Sequence, residues 1–528
     1  MSEKPFRMND NLQKFPGLSR TLHPYILLGL ILLLGAFLRF YDLGAESYWF
    51  DEMGSLIESQ QSIHQLFTVG RLDNPPAYYV PFIYWVKAFG TNEASVRSFS
   101  ALIGVISILF MYLIGRELFG QTVGLLSAFL MATSVFYIYH SQSARYYSYF
   151  GFITLLSFYF LILALKSDKT IYYILYGVFS ILMLYTHTYG VFIVVGQNLY
   201  FALNLKKYKN LLITWIVCQA LILVAFLPYF LALTLKDSSI QGAAELNIGG
   251  LPVPSLLDLL RSIYHLILPS RGDRSWEGVV ISYAAALVLL IVGAWVYAKR
   301  KGEKKRLPWA MVNSEIKEIP DLLDKLLLLS SWLVCAIVLP FIVSKVLVPV
   351  YADRYTICAA PALYLLISLV IFSFRKLVPV AISLGAIVIL VTPGLYDYYA
   401  TDVNEEWKEA ALYVKGNIEP GDVVVFAPNH APYSGLGFQQ RLFNWYYKDS
   451  VQGCGLGDRQ GFVDTNAIPE ELSQCVTGYD RFWLVVRGTP QAIAPVKSFF
   501  VDSHPAGLHL LEEKQFVGIS IYLFELAK

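Results

Sequence analysis

An adjacent pair of acids, Asp51 and Glu52, follows the first long apolar segment, in YDLGAESYWFDEMGSLIESQQSIHQLF. A carboxylate held beside a membrane can accept the proton of a hydroxyl as that hydroxyl attacks an electrophile. The pair also suits a plainer role, with Asp51 capping the following helix and Glu52 favoured by its dipole. A third acid, Asp73, stands in RLDNPPAYY. Asn74-Pro75-Pro76 forbids helix across the pair and fixes an extended turn, which would present Asp73 at a defined place, although loop rigidity alone accounts for the prolines. Arg145 in HSQSARYYS and Arg354 in VYADRYT lie at the ends of apolar segments. Each is either a snorkelling interfacial anchor or part of a phosphate site built on charge-assisted, bidentate hydrogen bonds. His187 in YTHTYG adds a polar ring, which a satisfied structural histidine would also explain. No His-Glu-x-x-His or Cys-x-x-Cys spacing occurs, so a divalent cation is compatible with the acids but not required.

The elements that carry these residues are set by composition. Of 528 residues, 56% are hydrophobic and only 15% charged, against about 45–50% and about 25% in an average soluble chain. The chain therefore reads as a polytopic α-helical membrane protein. A net charge of +2 excludes a nucleic-acid-binding footprint, and the hydrophobicity excludes a disordered chain. The aromatic load of 36 Tyr, 34 Phe and 10 Trp suits interfacial belts and sugar-facing surfaces.

Crossing a bilayer takes about 20 mostly apolar residues, with about 17 as the lower end. On that criterion spans are expected near 24–41, 97–117, 122–139, 148–166, 171–187, 190–204, 211–234, 279–298, 326–347, 356–374 and 378–396, about eleven in all. The short segment 190–204 and the apolar stretch 76–90, which suits a re-entrant or interfacial element, could each change that number. Lys4, Arg7, Lys14 and Arg20 precede the first span with no small-residue cleavage site behind it, so it reads as a retained anchor with a cytoplasmic N-terminus. Counting alternately puts Arg116, Lys166, Lys206, Lys299 and Arg375 with their basic neighbours on the cytoplasmic side. The first loop 42–95, the turns holding Arg145, His187 and Arg354, the loop 235–278 and the C-terminal part then share the exoplasmic face. Met53, Leu56, Ile57, Gln60, Ile63 and Phe67 recur at near-helical spacing, which predicts an amphipathic helix on the membrane surface.

Three domains are expected: a cytoplasmic segment 1–23, a membrane domain 24–398 that includes the first loop, and a soluble α/β domain 399–528 on the exoplasmic side. From residue 400 onward sixteen acidic and ten basic residues give a net −6, against +8 before it. EEWKEAALYVKGN predicts a helix with Trp407, Ala411 and Val414 on one face. VVVFAP, FWLVV and ISIYLFEL predict buried strands. Cys454 and Cys475 are the only cysteines outside the spans; a disulfide would stabilise by about 3 kcal/mol in the chain-entropy account, and two separate buried thiols is the alternative. Cys218, Cys335 and Cys358 sit inside spans as packing residues.

Taken together, Asp-Glu soon after span one, an acid followed by x-Pro-Pro-x-Tyr-Tyr, Ser-Gln-x-Ala-Arg-x-Tyr-Ser and a later Asp-Arg-Tyr entering a span resemble the GT-C superfamily. Within it the chain resembles the bacterial branch related to protein O-mannosyltransferases and the lipid A aminoarabinose transferase. The resemblance covers about 25–395 and is strongest over 39–150. It implies a GT-C-type membrane glycosyltransferase that moves a sugar from a polyprenyl-phosphate donor to an external hydroxyl with inversion, in a bacterial-type plasma membrane. Carried over motif by motif, it assigns Asp51, Glu52 and Asp73 to catalysis and Asn74, Tyr78, Arg145, Tyr146, His187, Tyr351 and Arg354 to substrate binding. Relatives commonly carry His or Lys where this chain has Asn74. The expected partners are the lipid-phosphate sugar, membrane lipid and a glycan, lipid or protein acceptor, with no nucleic acid. A transporter or flippase for a lipid-linked glycan and a glycan-binding receptor are the competing classes. The first would show midplane charges and repeats, and the second leaves the first-loop acids as mere caps.

Overall fold

The computed structural model describes residues 24–68, 75–237, 251–267 and 319–527, apart from 373, 375–376, 403, 429–436, 450, 452, 458–462, 489–493, 495, 504 and 506. Asp73, Asn74 and the apolar segment 279–298 lie outside the described residues. The chain divides into two compact units: 1–41, 61–88 and 97–399 form one, and 42–60, 89–96 and 400–528 the other.

The first unit is helical. Helices Pro24–Phe40, Glu93–Phe119, Tyr147–Ser167, Thr170–Leu184, Gly190–Leu203, Leu212–Asp237, Ala360–Phe372 and Leu377–Ala400 occupy expected apolar segments. Among the described residues five helices are long and apolar enough to cross a membrane, or six if a bent pair is one span, and four shorter apolar helices accompany them. The bent pair is Gln121–Thr133 and Val135–Ser141, which meet at 60°. Hydropathy runs unbroken through this stretch, but Ser134 adopts an extended backbone and its side chain accepts the Tyr137 N–H, starting a new helix. The carbonyls orphaned at the break are taken by a buried guanidinium: Arg39 donates to Met131 O at 2.9 Å and Ala132 O at 3.0 Å. Residues 319–346 also form an interrupted rod, with a π-turn at Val334–Val338. The stretch 76–90 is a helix, Pro76–Phe89, with Pro76 at its start.

Close packing and internal polar pairing hold these helices. The turn at Gly120 has φ +96°, and a Cβ on Gly115 would lie 2.6 Å from Gly124 Cα, so only glycine lets the two flanking helices meet there. Gln197 Nε2 donates to Ser157 Oγ at 2.9 Å while its Oε1 accepts from Tyr176 at 3.0 Å. Gln219 donates to the same tyrosine at 3.1 Å. Four helices are thus tied by side-chain hydrogen bonds where lipid supplies no hydrophobic contrast between helices.

The second unit is α/β. Its five strands, β1 Asp422–Ala427, β2 Gly453–Gly455, β3 Arg481–Arg487, β4 Leu508–Phe516 and β5 Ile519–Leu526, lie in the order β2-β1-β3-β5-β4. β1 pairs in parallel with β2 and β3; β5 runs antiparallel to β3 and β4. Trp407, Ala411 and Val414 are buried on the helix Trp407–Asn417, as its periodicity predicts. Cys454 on β2 and Cys475 on the helix Ile468–Val476 form a disulfide with Cα atoms 5.8 Å apart, stapling an edge strand to the helix beneath it.

The first loop, expected to lie with the membrane domain throughout, is divided. Ser47 Oγ donates to Glu409 at 3.0 Å, Glu46 accepts the Asn404 N–H at 3.1 Å, and the Tyr48 N–H donates to Tyr446 Oη at 2.7 Å. These bonds bind residues 42–60 to the C-terminal part.

Candidate functional site

The Asp51–Glu52 pair belongs to the α/β unit. Helix Phe50–Ser59 begins after Trp49, not Asp51, so the expected capping role falls elsewhere. Glu52 is fully buried and its carboxylate faces the Trp49 N–H at 3.5 Å. Asp51, in the first turn, is partly exposed. The environment thus separates the two acids: one is enclosed at the start of the helix and the other reaches solvent. The amphipathic helix predicted through Phe67 ends at Ser59, and a second short helix spans Ile63–Thr68. Met53 and Leu56 are buried within the protein, and Phe438 lies against Gly54 and the Phe50 ring. The helix Phe50–Ser59 therefore packs against the helix Phe438–Tyr447.

The cationic residues belong to the helical unit, in turns at the ends of its helices. Gln142 of the Ser-Gln-x-Ala-Arg sequence fixes the first turn: its Nε2 donates to Tyr41 O at 2.8 Å and its Oε1 accepts from Tyr398 at 2.7 Å. Three residues on, the Arg145 guanidinium lies 4.8 Å from the Tyr146 ring centre and donates to Tyr79 Oη at 3.5 Å. Tyr78 is buried against Tyr79, Phe82 and Tyr146, with the last ring at 6.2 Å. In the third turn Arg354, within the 3-10 helix Asp353–Cys358, lies 5.4 Å from the Tyr355 ring.

His187 joins the two. Its ring is 5.4 Å from Tyr146 and 4.4 Å from Tyr355, and it lies within electrostatic range of both Arg145 and Arg354. Tyr147 and Tyr355 are under the influence of the same two guanidiniums. His187 Nδ1 accepts the Tyr189 N–H at 3.0 Å, which makes Nε2 the donor of the neutral ring. Tyr78, Arg145, Tyr146, His187 and Arg354 are therefore brought together: two delocalised cations with aromatic walls and an imidazole donor between them. That combination suits an anionic ligand such as a phosphate ester rather than a metal ion. Tyr351 stands apart, buried edge-on to Phe341 at 5.8 Å. Among the described residues no group of three or more His, Cys, Asp or Glu side chains could hold a metal ion.

Sequence reasoning passed over Tyr79, His140, Asp353 and His265. His140 is buried against Phe136 and Tyr147 and lies within electrostatic range of Asp353, Arg354 and His265. Burial opposes the charge on Asp353, but the hydrogen bond from His265 and the Arg354 N–H outweigh it and hold the carboxyl below its ordinary value. Only the adjacency of Asp353 to Arg354 could have flagged this group in the sequence.

Comparison with known proteins agrees with the resemblance read from the motifs. The family model "Dolichyl-phosphate-mannose-protein mannosyltransferase" matches residues 73–231. A "Putative mannosyltransferase YkcB" of Bacillus subtilis is 29% identical over 160 residues, covering 28% of this chain and 22% of that protein. An uncharacterized protein of Aquifex aeolicus is 28% identical over 192 residues, covering 35% of this chain and 38% of that one. The chain thus matches well under half the length of these relatives. Among solved structures, ArnT from Cupriavidus metallidurans bound to undecaprenyl phosphate is similar with a TM-score of 0.51 at 10% identity, covering 94% of this chain and 97% of that one. The oligosaccharyltransferase AglB from Archaeoglobus fulgidus, in complex with an inhibitory peptide and a dolichol-phosphate, gives 0.51 at 13% identity over 96% of this chain and 74% of that one. The chain shares the fold of these two structures.

Proposed function

We propose that the protein is an inverting glycosyltransferase that takes a sugar from a polyprenyl-phosphate donor and transfers it to an acceptor hydroxyl at the outer face of the membrane. The observation that carries this reading is that Arg145 and Arg354, from turns far apart in sequence, each lie on a tyrosine ring that packs against His187. Two fixed guanidiniums on a helical unit with apolar spans match a phosphate whose tail dissolves only in lipid. The family match and the ArnT and AglB folds support the same chemistry.

In the reaction the acceptor oxygen attacks the anomeric carbon from the face opposite the phosphate. The bond from that carbon to the phosphate oxygen breaks, and the phosphate leaves with the electron pair. A hydroxyl is a poor nucleophile near neutral pH, so a carboxylate takes its proton as the new bond forms. We assign that role to Asp51, the partly exposed member of its pair, with Glu52 setting the start of its helix. Asp73 and Asn74 are assigned to the donor end of the first loop. Arg145 and Arg354 hold the phosphate, His187 donates to it, and Tyr78 and Tyr146 form walls. A topology of about eleven spans, with a cytoplasmic N-terminus and an exoplasmic C-terminal domain, completes the proposal. Polysaccharide, glycolipid and protein hydroxyls are the acceptor classes.

The test is purification in lipid with radiolabelled polyprenyl-phosphate sugars and a membrane extract as acceptor source. Label should move from the lipid fraction in wild type and not in Asp51→Asn. Equal transfer by both proteins removes Asp51 as base; no transfer with any donor, together with movement of intact lipid-linked sugar across vesicles, establishes the flippase reading instead.

A further inference from the structure

We infer that His265 and Asp353 form a positioning pair for Arg354, through which the helix Leu256–Ile267 sets the affinity of the phosphate site. The inference rests on the phosphate reading of Arg354 given above. His265 Nδ1 lies 3.1 Å from Asp353 Oδ2, and the carboxylate accepts, so Nδ1–H donates. The other oxygen, Asp353 Oδ1, accepts the Arg354 backbone N–H at 2.6 Å. One carboxylate therefore joins the 3-10 turn carrying the guanidinium to a helix that lies 88 residues away in sequence. Thr356 Oγ1 donates to the Asp353 carbonyl at 2.6 Å and tightens the same turn.

The helix has its own anchorage. Tyr364 Oη lies 3.0 Å from Leu266 O and 2.8 Å from Ser134 Oγ, and Leu266 is buried. Ser255 and Asp258 cap its start, with Asp258 Oδ2 accepting the Ser255 N–H at 2.7 Å. Losing the imidazole at 265 therefore leaves the helix docked while freeing the Asp353 side chain to turn. A carboxylate so released can swing toward Arg354 and neutralise the charge meant for a phosphate. Held by His265, it is directed at the backbone N–H instead. Asp353 and His265 are positioning residues, since each acts through Arg354.

The experiment measures binding of undecaprenyl phosphate to the full-length protein in detergent, with melting temperature recorded in parallel. His265→Ala should weaken binding about tenfold, the size of one charge-assisted hydrogen bond. His265→Asn, whose δ-nitrogen can still donate, should return it close to wild type. In an Arg354→Ala background, His265→Ala should cause no further loss, because coupled residues are not additive. Wild-type affinity in His265→Ala, failure of Asn to restore it, or an equal loss in both backgrounds would overturn the pair while leaving the phosphate site standing. Unchanged binding in Arg354→Ala removes the phosphate site, and the pair with it.

Discussion

The imidazole of His187 and the ring of Tyr355 lie 4.4 Å apart, and Tyr355 in turn lies under the Arg354 guanidinium at 5.4 Å. Tyr146 repeats the arrangement on the other side, with His187 at 5.4 Å and Arg145 at 4.8 Å. Each guanidinium is thus braced by one tyrosine, and both tyrosines meet the same histidine. Orientation of the cations depends on these rings as much as on their charge.

Arg145→Ala or Arg354→Ala should raise the donor KM by about tenfold or more, the value of a charge-assisted contact. Arg→Lys should recover only part of it, because lysine cannot reproduce a planar fork. Steady-state kinetics against donor concentration provides the check, and unchanged donor KM in both alanine variants removes the phosphate assignment.

Asp51→Asn and Glu52→Gln should fail differently. The first should lower kcat by about a hundredfold or more at unchanged melting temperature, as for loss of a general base. The second should lower melting temperature, because it alters a fully buried group at the start of a packed helix. Parallel activity and thermal unfolding curves separate the two effects.

Arg39→Met should destabilise the helical unit by about 2–3 kcal/mol, since the carbonyls of Met131 and Ala132 lose their donors inside the protein. Hydrogen exchange confined to residues around 130–141 would report the released break.

Arg481 grips Asp422 through two bonds, Nε to Oδ1 at 2.9 Å and Nη2 to Oδ2 at 2.8 Å, and Trp483 adds a third at 3.0 Å. Burial works against the Asp422 charge, yet these donors and the Glu419 N–H prevail and hold its pKa below the ordinary value. The folded value lies below the unfolded one of about 3.9, so the contribution is complete above that pH and disappears as pH falls through the folded value. Acid unfolding followed by Trp fluorescence should therefore be steepest below about pH 4, and Asp422→Asn should flatten it. Arg481→Ala should cost about 3 kcal/mol at neutral pH by stranding a buried carboxylate.

Much of this was legible from residue order. The apolar helices announce themselves by length, and three strands by short runs of Val, Phe and Ile bounded by turns. β4 was not, because LHLLEEKQF is an exposed edge strand paired on one side only and carries the charges of a surface helix. β2, Gly-Cys-Gly, is too short for any period. The break at Ser134 is hidden because hydropathy has no term for a capping serine. The periodicity of 53–57 correctly marked a buried face, but periodicity does not say what buries it, and Phe438 lies hundreds of residues downstream. The cationic residues were visible as motifs; His265 was not, since a single imidazole in a helix carries no mark of a partner at Asp353.

The joining of residues 42–60 to the last part of the chain sets a timetable. The helix bearing Asp51 is synthesised well before the Phe438 ring that packs on Phe50 and before the Tyr446 hydroxyl that takes the Tyr48 amide, 398 residues further along the chain. Until residue 446 has been made, the Tyr48 amide lacks this partner and the start of the Asp51 helix is not yet held by it.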